Sequence, residues 1–395
     1  MCSRVAMAAA TLVSLKIKRM KLFISSAFDA GNIEVVNAEN PSDIQLKIEK
    51  DTNSDFLQWF YFRVQGAKDT ACTMRIVNAG DAAYPEGWDN YQARASYDRL
   101  TWFTIPTNYE DGVLKFEITP EFDSLYIAYF APFSYEQHLD LVDSANLSPL
   151  CSLEAIGKTL QGRPIDFLRI GDDDPEKKKL WVIARQHPGE SMAEYFMSGL
   201  IDRLLDDEDP VSIALLEKAN MLMVPNMNPD GSILGNLRVN AKGINLNREW
   251  GNPSIENSPE VYYVKKKMQE TGMDFMLDVH GDEGLPYNFI SGIEGIPSFD
   301  DRLKHLTDFF METWKSINPD MQDVYGYPKN EPGKANLNIC SKAIGEEFKC
   351  LSQTLEMPFK QNDNIPDAVY GWSPERSIKL GASLVTVLNR LVEEL

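Results

Sequence analysis

The chain has 395 residues, 43% of them hydrophobic, and a formal net charge of −20. That length allows two domains and a large core. The acidic balance argues against a general nucleic-acid binder, which needs a basic surface, and no apolar run reaches bilayer-crossing length. A soluble cytoplasmic enzyme is the simplest class that fits. Five scattered cysteines (Cys2, Cys72, Cys151, Cys340 and Cys350) form no CxxC pair, so neither a disulfide framework nor a thiolate zinc cage is expected.

In chain order, residues 1–19 come first. An apolar run from Val5 to Leu15, preceded by Arg4, faintly resembles a signal peptide. KIKR follows at once, without a small-residue cleavage site. The stretch is expected to be a disordered leader, with Met20 as a candidate natural start.

Residues 20–145 read as an all-β sandwich. FLQWFYFRVQ, CTMRIVN, LTWFTI, VLKFEIT and SLYIAYFAP are short, aromatic or β-branched, and separated by Gly, Pro, Asn and Asp. No long helix is expected between Phe23 and Leu141.

Residues 146–395 change period. LWVIARQ, NMLMVP, DFMLDV and SQTLEM read as buried strands. SMAEYFMSGLIDRLL, PEVYYVKKKMQE, DDRLKHLTDFFMETWKS and ERSIKLGASLVTVLNRLVEEL read as helices. This alternation predicts an α/β domain with a mixed, mostly parallel sheet covered by helices. Ligands of such sheets sit outside the carboxyl ends of the strands. RQHPGE, Arg185 to Glu190, occupies such an exit.

Two of the four histidines end strands in this half: His187 after LWVIARQ and His280 after DFMLDV. Both are expected on one rim of the sheet, with Glu190 at the start of the following helix. Two imidazoles and a carboxylate, with water in the fourth place, make a catalytic zinc site. Singly, a strand-end histidine usually bonds to backbone, and a first-turn glutamate favours the helix dipole. The matched pair raises the metal reading above those explanations. His305, mid-helix among charges, is expected to be solvated, and His138, between the domains, to be structural.

The ordered set HPGE, NPDG, an arginine, NLNREW, a strand-end histidine and the glutamate of TLEM resembles the metallocarboxypeptidase family, over roughly Leu150 to Leu395. The β-domain, with HGDEGLPYNFISGIEG, resembles the cytosolic carboxypeptidase subfamily, whose members join an N-terminal β-sandwich to the peptidase domain. The resemblance implies one zinc held by His187, Glu190 and His280. It implies Arg238 at the scissile carbonyl, Asn247 and Arg248 on the substrate's terminal carboxylate, and Glu356 as general base. The chemistry suits these roles. A glutamate can take a proton from zinc-polarised water and pass it to the leaving amine, and an arginine can grip a carboxylate bidentately.

Three departures stand out. Asn245 occupies the place where many family members carry an aspartate behind the first zinc histidine. The usual loop tyrosine, about twenty-two residues before the base, falls at Lys334, with Tyr325 and Tyr327 nearby and neither assignable. Lys342 lies near the expected pocket base, where it would favour a C-terminal Asp or Glu; an exposed surface lysine, with Ser341 facing the pocket, weighs equally. Peptide or protein C-termini are the expected substrates, with no nucleic-acid or membrane partner, and the β-sandwich is a candidate contact for a protein substrate. The rival readings are a zinc deacylase of N-acyl amino acids on the same scaffold and a non-catalytic zinc-binding module.

Overall fold

The structure is a computed structural model describing residues 21–172 and 174–395. The expected leader lies outside the described residues. The N-terminal part is two five-stranded sheets. One runs Phe23–Ser25, Tyr61–Gln65, Ser124–Ala128, Ala93–Ser96, Phe103–Ile105, and the other runs Glu34–Asn37, Ile44–Lys47, Cys72–Ile76, Val113–Ile118, Thr107–Glu110. Alternation sorts each strand's faces. In Val113–Ile118, Leu114 and Phe116 are fully buried while Lys115 between them is not. The sheets meet through aromatic rings: Phe62 of one and Phe116 of the other have centroids 6.4 Å apart. The ladder in FLQWFYFRVQ begins only at Tyr61; ahead of it Phe56 lies against Arg238 of the second domain, while Gln58 and Trp59 bond within the β-domain, to Tyr84 O and Ala30 O.

A helix absent from the sequence reading, Tyr135–Asn146, leads out of the sandwich. Its start is a capping box: Ser134 and Gln137 satisfy each other's backbone amides. It carries the chain across 145/146, where the sequence reading divides the domains. His138 on this helix is buried between Glu194 and Asp166, 2.8 and 3.1 Å from its ring nitrogens, a structural position. His305 is 61% exposed.

The second half holds a seven-stranded mixed sheet. Four parallel central strands lie side by side as Ala219–Val224, Lys178–Ala184, Phe275–Asp282 and Leu351–Pro358. Antiparallel strands flank them: Pro164–Ile170 and Cys151–Lys158 at one edge, Phe289–Ser291 at the other. The central strands are buried along almost their whole length, accompanied by helices Met192–Leu204, Pro259–Thr271, Asp301–Ile317, Cys340–Phe348 and Pro374–Leu391. One buried cluster is continuous across both domains. Polar bonds also cross the junction. Asn32 Nδ2 donates to Gly235 O at 3.0 Å, and buried Arg94 donates to Phe359 O at 3.0 Å. Gly235 has φ +71° and lies under the carbonyls of Ala30 and Gly31; an added Cβ would sit 2.8 Å from one of them, so only glycine fits the turn and the contact.

Candidate active site

The strand Lys178–Ala184 stops because Arg185 turns to φ 60°, a left-handed conformation that costs a non-glycine residue free energy. Its buried guanidinium secures the turn, donating to Pro188 O at 2.9 Å and Phe133 O at 2.8 Å and pairing with Glu194. Gly189 then passes beneath the 237 loop. Its amide donates to Leu237 O at 2.9 Å, and a Cβ there would meet that oxygen at 3.0 Å. This path delivers His187 and Glu190 to the rim, with Glu190 just ahead of the helix Met192–Leu204.

His187 Nδ1 lies 2.7 Å from Glu190 Oε1, His280 Nδ1 lies 2.8 Å from Glu190 Oε2, and the two Nδ1 atoms are 3.1 Å apart. Among the described residues this is the one cluster of three His, Cys, Asp or Glu donors suited to a metal ion. The opposite ring nitrogens are engaged: His187 Nε2 with Asn245 Oδ1 at 3.1 Å and His280 Nε2 with Asp278 Oδ2 at 2.9 Å. Acceptors on both Nε2 atoms fix the tautomers that leave both Nδ1 lone pairs facing inward, an arrangement that fits a cation. Burial, then the charge of Arg238, lowers the His187 pKa to about 4, which keeps the ring in its metal-binding form. Burial opposes charge on His280, but Asp278 and Glu190 outweigh it and raise its pKa. Burial likewise works against ionised Glu190, and His187 and His280 overcome it and hold the pKa low. Zinc between these donors would replace the proton that Asp278 and Glu190 favour on His280.

A cavity of about 650 Å³ opens over the donors, and its wall carries His187, Glu190, Arg238, Asn247, Arg248, Lys342 and Glu356. His280 lies beneath, 1% exposed. Glu356 is buried with Oε2 unpartnered, and burial pushes its pKa well up against the opposing charge of His280. Arg238 lies over two rings of the β-domain, 5.7 Å from Phe56 and 5.2 Å from Tyr84. Asn247 Oδ1 accepts the Cys340 amide at 2.8 Å, and its Nδ2 lies 3.4 Å from His280 Nε2 on the cavity wall. Arg248 bonds to Asn247 O through one Nη at 2.7 Å, keeping other N–H groups for a ligand.

Lys342 is buried, not a surface lysine. Its Nζ donates to Gly292 O and, at 3.4 Å, to Ser291 Oγ. Ser341 instead receives the Thr354 hydroxyl at 2.8 Å. Of the two tyrosines left open, Tyr327 lines the cavity and donates to Asp282, while Tyr325 stacks on Tyr287 outside it. Lys334 is exposed. Glu283, a second carboxylate of the cavity wall, lies in the bend past Asp282 and is buried; burial raises its pKa to about 8. The sequence reading missed Asp278, although D-x-H on a strand puts both side chains on one face. It also missed Tyr84 and Glu86, which the β-domain contributes to the cavity wall and which no local motif marks.

The family model described as zinc carboxypeptidase matches residues 135–362, and that described as the cytosolic carboxypeptidase N-terminal domain matches residues 24–130. The chain is 47% identical to an uncharacterised protein of Zymomonas mobilis, over 95% of this chain and 98% of that one. It is 28% identical to human cytosolic carboxypeptidase 6 over 70% of this chain, spanning 60% of that protein. Among solved structures, a metallo-carboxypeptidase from Burkholderia cenocepacia superposes with TM-score 0.93 at 46% identity, covering 95% of this chain and 100% of that chain. A metallo-carboxypeptidase from Pseudomonas aeruginosa in complex with (2-guanidinoethylmercapto)succinic acid superposes with TM-score 0.92 at 45% identity, covering 94% and 99%.

Proposed function

The chain belongs to the zinc carboxypeptidase family, and from that premise we propose that it hydrolyses the C-terminal peptide bond of peptides or proteins, with one zinc per chain held by His187, Glu190 and His280. The observation that carries this reading is the single cavity into which the donor set, a buried unpartnered carboxylate and two arginines converge. Zinc, when bound, supplies a Lewis acid that polarises water and a carbonyl. Glu356 takes the water's proton and returns it to the leaving amine. Arg238 donates to the developing oxyanion, where loss of one such donor costs about 10²–10³ in rate. Arg248 and the Asn247 Nδ2 bind the substrate's terminal carboxylate, which makes the enzyme an exopeptidase.

Buried Lys342 supports a preference for acidic C-terminal residues, since an ammonium shielded from water attracts a carboxylate. A second reading, a basic preference, is favoured by the guanidino arm of the ligand bound to the Pseudomonas aeruginosa relative. Among the described residues no helix is long and apolar enough to cross a membrane, and curated relatives are named cytosolic; a cytoplasmic site of action belongs to the same proposal.

The test compares blocked dipeptides with N-acyl amino acids, with and without a chelator. Chelator-sensitive dipeptide cleavage, restored by zinc, is expected. Turnover confined to N-acyl amino acids would make the protein a deacylase, and none on either would favour the non-catalytic module.

A further inference from the structure

The 237 loop, which carries Arg238, is held from the other domain. Asp51 of the β-sandwich is 3% exposed. Its Oδ1 accepts the Leu237 amide at 2.6 Å, and its Oδ2 accepts the Arg238 amide at 2.7 Å and the Val239 amide at 3.2 Å. One carboxylate thus receives three consecutive backbone amides. The neighbouring residue adds to the grip: the Thr52 amide donates to Asn236 Oδ1 at 3.0 Å. The same turn, closed by Asp51 N to Phe56 O at 2.8 Å, sets Phe56 against the Arg238 guanidinium, and Tyr84 faces it too. Ring faces attract a cation through their quadrupole without occupying its N–H groups. A carboxylate partner would occupy those donors, whereas two rings fix the plane and leave its edge for a substrate oxygen.

We propose that the β-sandwich is a working part of the active site: Asp51 is a positioning residue that fixes the 237–239 backbone, and Phe56 and Tyr84 orient the Arg238 guanidinium, so oxyanion stabilisation depends on the N-terminal domain. This rests on the reading of Arg238 given above. Asp51 touches neither substrate nor zinc; it acts through the placement of Arg238. A misplacement of about 1 Å is enough to lose on the order of 10²-fold in rate. The loss falls on kcat, because the oxyanion exists only after attack on the carbonyl.

The experiment is a double-mutant cycle in the full-length zinc-loaded protein, read on a blocked dipeptide. Asp51→Asn is expected to lower kcat about 10- to 100-fold with KM within about threefold and zinc content unchanged. In an Arg238→Ala background the same change is expected to alter kcat less than about twofold, since residues acting through one group are not additive. Tyr84→Leu, which leaves the amide contacts intact, is expected to lower kcat about threefold to tenfold and to lose its effect in the same background; it carries the test if Asp51→Asn does not fold. Losses that multiply with Arg238→Ala, or parental kcat in both single variants, would overturn the proposal. If Arg238→Ala alone leaves kcat unchanged, the assignment of Arg238 itself fails, a result distinct from the other two.

Discussion

His280 and Glu356 are Cα partners on adjacent parallel strands, Phe275–Asp282 and Leu351–Pro358. Neighbouring strands stand about 4.8 Å apart, so the proposed metal donor and the proposed base share one rung between two fully buried strands. Their separation follows from ladder register and does not depend on loop conformation, which suits a site that must hold its geometry through turnover.

Glu356→Gln keeps the shape and removes the proton acceptor. Turnover is expected to fall by about 10²–10⁴ while metal analysis still finds one zinc per chain. If activity stays within a few-fold of the parent, the base is another cavity carboxylate, Glu283 being the nearest in role.

Zinc retention is expected to fail in His280→Ala, whereas Asp278→Asn weakens affinity by about 10- to 100-fold without abolishing binding. Competition with a chromophoric chelator reads both. Equal affinity in Asp278→Asn and the parent would mean that the 2.9 Å contact to His280 does not tune the ligand.

Arg248→Lys preserves charge and loses the bidentate fork. KM for substrates with a free C-terminus is expected to rise about tenfold or more. Equal cleavage of amidated and free-acid peptides by the parent protein would remove Arg248 from the carboxylate site.

Lys342→Ala is expected to lower kcat/KM about 10- to 100-fold for peptides ending in Glu, with smaller changes for Lys, Leu and Phe at matched length. A parent that prefers Lys, Leu or Phe, together with an indifferent Lys342→Ala variant, would end the acidic reading.

His138 carries a pH signature. Burial opposes its charge, but Asp166 and Glu194 overcome that and raise its pKa from 6.5 to about 9. A raised histidine stabilises the fold fully below the unfolded value, and the contribution fades as pH climbs through the folded value. Its size is about 3 kcal/mol. Chemical denaturation of His138→Gln and the parent is therefore expected to differ most at pH 6 and to converge above pH 9. A gap that widens with pH would contradict the sign.

The legible parts of the protein were those written locally. Strand-exit histidines, HPGE and the helical periods each lie within a short window, and the sheet that joins them follows from alternation of strands and helices. Long-range partners were not legible. Phe56 and Asp51 reach Arg238 from more than 180 residues away, and nothing in their neighbourhoods marks them. The flanking antiparallel strands escaped notice because Cys151–Lys158 is half exposed along its length and lacks the apolar run of a central strand. The helix Tyr135–Asn146 carried a readable start in Ser134 and Gln137, but it buries only His138, Val142 and Ala145, too thin a stripe to announce itself.

Gly189 has one more consequence. Its amide hydrogen bond to Leu237 O ties the turn bearing two proposed zinc ligands, His187 and Glu190, to the loop bearing Arg238, and the absent side chain lets the two backbones touch. The spacing between the proposed metal centre and Arg238 is therefore set main chain to main chain. Side-chain drift in the surrounding core leaves such a spacing intact, so the proposed metal centre and its arginine can keep step while the packing around them is rewritten over evolutionary time.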